Sequence, residues 1–159
     1  MSSSPTGALF PPGAYSREYK LFISHAWPYS ADYDGVVSLL NADRSFKWAD
    51  LSVTVDEPLS AFMSPFLSKS YRCIVRQLDE RIHESDCVLV LAAMYVAHRG
   101  WIQSEIEAAL DFKKPIIAVK WRGQERVPGV LSQEAIAIVG WRTVSIISAI
   151  REYAAPPSL

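Results

Sequence analysis

The sequence predicts an α/β domain built on a five-stranded parallel sheet with helices on both faces. Three observations predict it. Short β-prone runs alternate with helical runs along the chain, the pattern of strand–helix–strand crossovers. Two runs, DCVLVLAAM (Asp86–Met94) and PIIAVKW (Pro115–Trp121), are apolar almost throughout, as strands covered on both faces are. Half of the 159 residues are hydrophobic, enough for one domain with a real core.

The opening, MSSSPTGALFPPGAYS, is rich in Ser, Pro and Gly. It reads as a flexible lead-in over residues 1–18, ahead of a domain over 19–155. The domain opens with a first strand, YKLFIS (Tyr19–Ser24). ADYDGVVSLLNAD follows, with Val36, Val37, Leu39 and Leu40 at helical spacing. LSVTV (Leu51–Val55) reads as the second strand and DEPLSAFMSPFLSKS as a long loop. YRCIVRQLDERIHES sets Ile74, Leu78 and Ile82 on one helical stripe. The run Asp86–Met94 is the third strand, a helix around Glu105 comes next, and Pro115–Trp121 is the fourth strand. AIAIVGW (Ala135–Trp141) supplies a short last strand. TVSIISAIREY closes the domain as a helix with Thr143 as its N-cap.

The 17 acidic and 16 basic residues give a formal net charge of -1. That balance argues against a nucleic-acid or anionic-membrane binder, which needs a basic field. The two cysteines, Cys73 and Cys87, fall in a helix and a buried strand and read as buried free thiols, so a reducing cytoplasm is expected. The N-terminus lacks a basic region and a long apolar run, so no secretory signal is expected there. No window approaches ~18 uninterrupted apolar residues, so no membrane span is expected.

No GxGxxG follows the first strand, and neither a GxxxxGK[ST] loop nor a GxSxG elbow occurs. Dinucleotide dehydrogenases, P-loop NTPases and α/β-hydrolases are therefore disfavoured. His25, His83 and His98 lack metal-ligand spacing, and no metal is expected. A receiver domain would need an acidic cluster at the first strand and an aspartate ending the third. Here Tyr19-Lys20 and Ala92-Ala93-Met94 stand at those places.

In open parallel sheets, ligands bind at the carboxyl ends of the strands. Those ends are expected at Ser24-His25, at Asp56-Glu57 and over Tyr95–Trp101, with Glu105 one turn beyond. With a helix starting near Gly100, the stripe Ile102, Ile106, Ala109 and Leu110 covers the sheet. Trp101, Glu105, Ala108 and Phe112 form a neighbouring face. Glu105 falls in or near the first turn, where the helix dipole favours an anion, and stays ionised near neutral pH unless deeply desolvated. Periodicity alone leaves two readings open: an ordinary helix-start acid, or a carboxylate placed for chemistry.

LFISHAW, the strand ending in VDEPL, and CVLVLAAMYVAHRGWIQSEIEAALDFKKPIIAV together resemble a TIR domain. FISHAWPYSADYDGVVSLL and KPIIAVKWRGQERVP are similar, more narrowly, to the ThsB-like branch found in Thoeris anti-phage defence. The resemblance covers roughly Tyr19 to Tyr153. It implies a flavodoxin-like three-layer sandwich with strand order 2-1-3-4-5. It also implies an NAD glycohydrolase or cyclase that cleaves the nicotinamide–ribose bond to make an ADP-ribose-derived signal. The essential glutamate of such enzymes stands four residues after a tryptophan, which matches Glu105 after Trp101.

Phe22, Ser24, His25 and Trp27 match the region bordering the nucleotide in TIR enzymes. Asp56 and Glu57 fall where acids hold ribose hydroxyls, and His98 precedes Trp101 by three residues. Trp101 would wall the pocket or stack on a base. The run His25-Ala26-Trp27 departs from the basic residues that often follow the first strand. Arg122, Gln124, Glu125 and Arg126 read as a surface loop. The implied partners are NAD as substrate, with no cofactor, further copies of the chain on activation, and a separate effector that senses the product. Two other readings remain: a non-catalytic TIR adaptor working through protein contacts, and a nucleoside deoxyribosyltransferase-like enzyme.

Overall fold

Strand β1 (Glu18–Ser24) sits near the middle of the sheet, and its alternation sets the two layers of the core. Tyr19, Leu21 and Ile23 point to one face and Phe22 to the other. The structure, a computed structural model, describes residues 17–24, 31–52, 68–97 and 99–157. The elements that follow β1 are α1 (Ala31–Asn41), β2 (Lys47–Asp50), α2 (Ser68–Glu84), β3 (Cys87–Leu91) and α3 (Ala92–Ala97). Then come α4 (Arg99–Asp111), β4 (Ile116–Val119), α5 (Gly129–Glu134), β5 (Ala137–Val139) and α6 (Thr143–Tyr153).

All five strands are parallel, in the order β2-β1-β3-β4-β5, the flavodoxin-like arrangement expected. Cys87, Leu89 and Leu91 of β3 join Ile117 and Val119 of β4 beneath α1 and α6, where Val36, Leu40, Ile146 and Ile150 are buried. Val88, Val90, Ile116 and Ala118 face the opposite layer, against Leu78 and Ile82 of α2, Ile102 and Ile106 of α4, and Leu131 of α5. Burial pushes the Cys87 thiol far above its usual range, which fits an inert core residue. At the amino ends of the strands, the Arg17 guanidinium pairs with Asp86 at 3.3 Å and donates to the Ala155 carbonyl at 2.7 Å, tying the entry of the sheet to its exit.

Four elements differ from expectation. The second strand is Lys47–Asp50, earlier than LSVTV. It is an edge strand with Trp48 packed on one covered face, so it lacks the apolar run that marks a central strand. Its register runs from Glu18↔Lys47 to Leu21↔Asp50, and the Leu51 N–H still donates to the Leu21 carbonyl at 2.8 Å. The third strand stops at Leu91, and Ala92 turns directly into α3. Helix α5 was not expected: it is a single short element with Leu131 buried, too brief to show a period, yet a parallel β4–β5 pair requires a crossover. Thr143 is the first helical residue of α6, and Arg142 is the N-cap, with no side-chain cap bond.

Helix α4 ends in a Schellman-type turn. The Lys114 N–H donates to Ala109 and the Lys113 N–H to Leu110, with Lys113 at φ 54. Among the described residues no helix is long and apolar enough to cross a membrane.

Candidate functional site: a buried carboxyl at the sheet edge

Ser24 is the last residue of β1, paired in register with Val90 of β3. It shares the side of Phe22 and so faces α4 rather than α1. Helix α4 carries Glu105 between Ile102 and Ile106, and all three are buried. The expected buried stripe is thus rotated. Glu105 and Ala108 belong to it, whereas Leu110 is 41% exposed and Phe112 is 36% exposed, with its ring edge-on to His83 at 5.0 Å. Because α4 begins at Arg99, Glu105 is the seventh residue and lies in the second turn. The helix dipole, whose effect falls off within the first turn, gives it little help.

Two donors reach the Glu105 carboxyl. The Ser24 hydroxyl donates to Oε2. The Trp101 indole Nε1–H donates to Oε1 at 2.9 Å. The group is only 2% exposed, and burial pushes its pKa up to about 8, while the hydrogen bonds from Ser24 and Trp101 pull it down. Deep desolvation, the condition that removes the expected ionisation at neutral pH, therefore applies here. A pKa lifted toward neutrality lets the carboxyl gain or lose its proton under physiological conditions. That is the range suited to a group that must change charge during a reaction.

The other expected residues separate into two groups. Phe22 is 1% exposed and packs in the hydrophobic layer under α4, so it supports the site from within the core. Ser24 is wholly buried, and its hydroxyl is turned to Glu105. Trp101 is half-buried against the same layer, with its N–H committed to Glu105. His25, Trp27, Asp56, Glu57 and His98 lie outside the described residues, as does most of the expected long loop, whose last three residues, Ser68–Ser70, instead open α2. Two hollows lined by described residues lie elsewhere, one at Lys113–Ile116 and Tyr153–Pro156, the other between Arg44 and α6.

Beside the site runs a polar chain that the sequence did not reveal. The buried Tyr95 of α3 donates its hydroxyl to Gln103 Oε1 at 3.0 Å, and Gln103 donates to Glu107 at 3.2 Å. It braces α3 against the outer face of α4. Only the four-residue spacing of Gln103 and Glu107 hinted at it. The loop with Arg122, Glu125 and Arg126 is exposed, as expected. Gln124 braces it by accepting from the Trp121 N–H and donating to the Arg126 carbonyl, both at 3.0 Å, around Gly123 at φ 71. Among the described residues no group of three or more His, Cys, Asp or Glu side chains could hold a metal ion.

A flavodoxin-like sheet in order 2-1-3-4-5, with a glutamate four residues after a tryptophan at its carboxyl edge, is the layout of a TIR-like domain. The chain belongs to that class. It is a member of the family described as Thoeris protein ThsB, TIR-like domain, whose sequence model matches residues 22–126. The comparison with curated proteins found no match. Among solved structures the chain is similar to a CMP N-glycosidase of Clostridium botulinum, BcmB. The two share 12% identity and a TM-score of 0.48, over 82% of this chain and 97% of that one.

Proposed function

We propose that the domain cleaves NAD at the nicotinamide–ribose bond, with Glu105 as the catalytic residue, and releases an ADP-ribose-derived signal, cyclic or conjugated, in anti-phage defence. The observation that carries this reading is the single carboxyl of Glu105, held through both oxygens by Ser24 and Trp101 at the carboxyl edge of the sheet. Membership of the Thoeris ThsB family supplies the setting.

The chemistry suits one carboxylate. The nicotinamide ring of NAD is cationic, so it leaves with the electron pair of the N-glycosidic bond as a neutral molecule. No general acid is needed, unlike the two-carboxylate scheme of ordinary glycosides. Positive charge develops on the ribose as an oxocarbenium. A fixed anion in a site shielded from water stabilises that charge, or bonds to the anomeric carbon until an acceptor displaces it. The acceptor is water, giving ADP-ribose, or a nucleophile within the nucleotide or on a second molecule, giving a cyclic or conjugated product. Glu105 must be ionised for either role, and the positive nicotinamide ring favours that as it arrives. In this reading NAD is the substrate, activation proceeds through self-association, and a separate effector reads the product.

The test is mass spectrometry of NAD and of new nucleotides in infected cells expressing wild type, Glu105→Gln or Glu107→Gln. Glu107 is exposed and on a different face of the same helix. Wild type and Glu107→Gln should consume NAD, and Glu105→Gln should not. Equal NAD loss in wild type and Glu105→Gln overturns the mechanism. Protection against phage with no NAD loss in any of the three points instead to an adaptor.

A further inference from the structure

A carboxylate cut off from water must find its donors within the protein, or its charge is costly. Glu105 has two, and they come from different parts of the fold. Trp101 stands four residues earlier on α4, so its indole travels with the helix. Ser24 stands at the end of β1, wholly buried and held in the sheet by its pairing with Val90. The Ser24 bond therefore ties the carboxyl to the edge of the sheet, which the bond from Trp101 within the same helix alone could not do.

We infer that Ser24 is a positioning residue for Glu105: its hydroxyl fixes one carboxyl oxygen relative to the sheet edge, while the Trp101 indole fixes the other, and together they solvate the charge in place of water. This deepens the proposed reading of Glu105 and rests on it for its catalytic meaning. It differs from a substrate contact, because the Ser24 hydroxyl points inward to the carboxyl and has no exposed surface.

Several other polar and ionisable groups on the neighbouring elements are engaged elsewhere. On α3 and α4, Tyr95 donates to Gln103, Arg99 lies over the Tyr95 ring at 5.8 Å, and Glu107 accepts from Gln103. On α2, His83 meets Phe112. Lys20 of β1 and Cys87 of β3 lie toward the amino ends of their strands. Among the described residues, Ser24 and Trp101 are the groups that bear on the Glu105 proton, and both favour its loss. His25 follows Ser24 in the chain, so the test reads Glu105 itself.

The test is carbon NMR of the Glu105 side-chain carboxyl against pH, in the full chain labelled at glutamate, for wild type, Ser24→Ala and Ser24→Cys. Glu105→Gln assigns the signal. Losing the hydroxyl donor should move the Glu105 midpoint alkaline by about one pH unit, and the weaker thiol donor by less. In an activated preparation, kcat/KM for NAD at pH 7 should then fall about tenfold in Ser24→Ala, with the loss shrinking as pH rises through the limb, because kcat/KM follows the free enzyme. A purely structural role would lower activity at every pH and leave the midpoint unmoved. If Ser24→Ala does not fold, Ser24→Cys carries the NMR test. A midpoint that stays put or moves acid in the folded variants overturns the inference. The two readings fail separately: a shifted midpoint in a chain that cleaves no NAD sinks the proposed function alone. An unshifted midpoint in an active enzyme sinks the role of Ser24 alone.

Discussion

The two faces of the sheet are both deeply buried, and they differ in what they bury. Beneath α1 and α6, among the described residues, the fully buried layer is apolar: Leu21, Ile23, Leu40, Leu89, Ile117, Ile146 and their neighbours. Beneath α4 the layer is just as apolar around Ile102 and Ile106, but at the carboxyl edge it takes in the Ser24–Glu105 pair. Burial of hydrocarbon stabilises both faces at a similar rate per unit area. Among the described residues, a buried carboxyl occurs on the α4 face alone. Such a cost is commonest at functional sites, and this is what supports the proposed site at the α4 edge.

The largest effect expected on this contrast is catalytic. On the proposed reading, Glu105→Gln removes the anion beside the developing oxocarbenium and should lower NAD cleavage by ~10²–10³ or more, with Glu107→Gln close to wild type. Product mass spectrometry reads both.

Next is a pH signature of the buried carboxyl on the α4 face. The folded pKa of Glu105 is raised from the ordinary carboxyl range to about 8. The folded state therefore holds a proton that the unfolded state has lost. This contribution is fully present below the unfolded value, near pH 4 to 5, and is lost as pH rises toward and through about 8. Glu105→Gln has no proton to lose. Chemical denaturation at pH 5 and at pH 8 should show the variant gaining on wild type by roughly a few kcal/mol between the two. An equal difference at both pH values would mean that the carboxyl is less desolvated than its burial implies.

The opposite face can be stressed at Gly35 of α1. A Cβ there would stand 2.6 Å from Cζ2 of Trp141, whose ring is itself packed against Trp121 at 4.6 Å. Gly35→Ala gains helix propensity and forces the indole to shift. The overpacking should dominate and cost about 1 to 2 kcal/mol in urea unfolding, unchanged between pH 5 and 8. The smallest effect is Ile146→Val, which removes one methyl group from the same layer and should cost about 1 kcal/mol, again without pH dependence. NAD cleavage should be unaffected by either variant in the folded protein. A loss of activity there would show that the two faces are coupled.

The residues themselves determined much of this. The apolar runs of β3 and β4 announced a sheet covered on both sides, since a strand buried on both faces has no room for alternation. Strand–helix alternation made the sheet parallel, and the Trp101–Glu105 spacing placed both side chains near one face of a helix. Edge and short elements were less legible. Lys47–Asp50 is a four-residue edge strand with exposed ends, and Gly129–Glu134 is too brief to show a period. The state of Glu105 was beyond local pattern altogether. Its sequence neighbours allowed an exposed helix-start acid, ionised at neutral pH. Tertiary structure rotated α4 so that Glu105 lies inward, and brought up Ser24 from 81 positions away to meet it. Desolvation and hydrogen bonding depend on what surrounds a group in space, so the proton on Glu105 was decided only when the sheet and the helix closed over it.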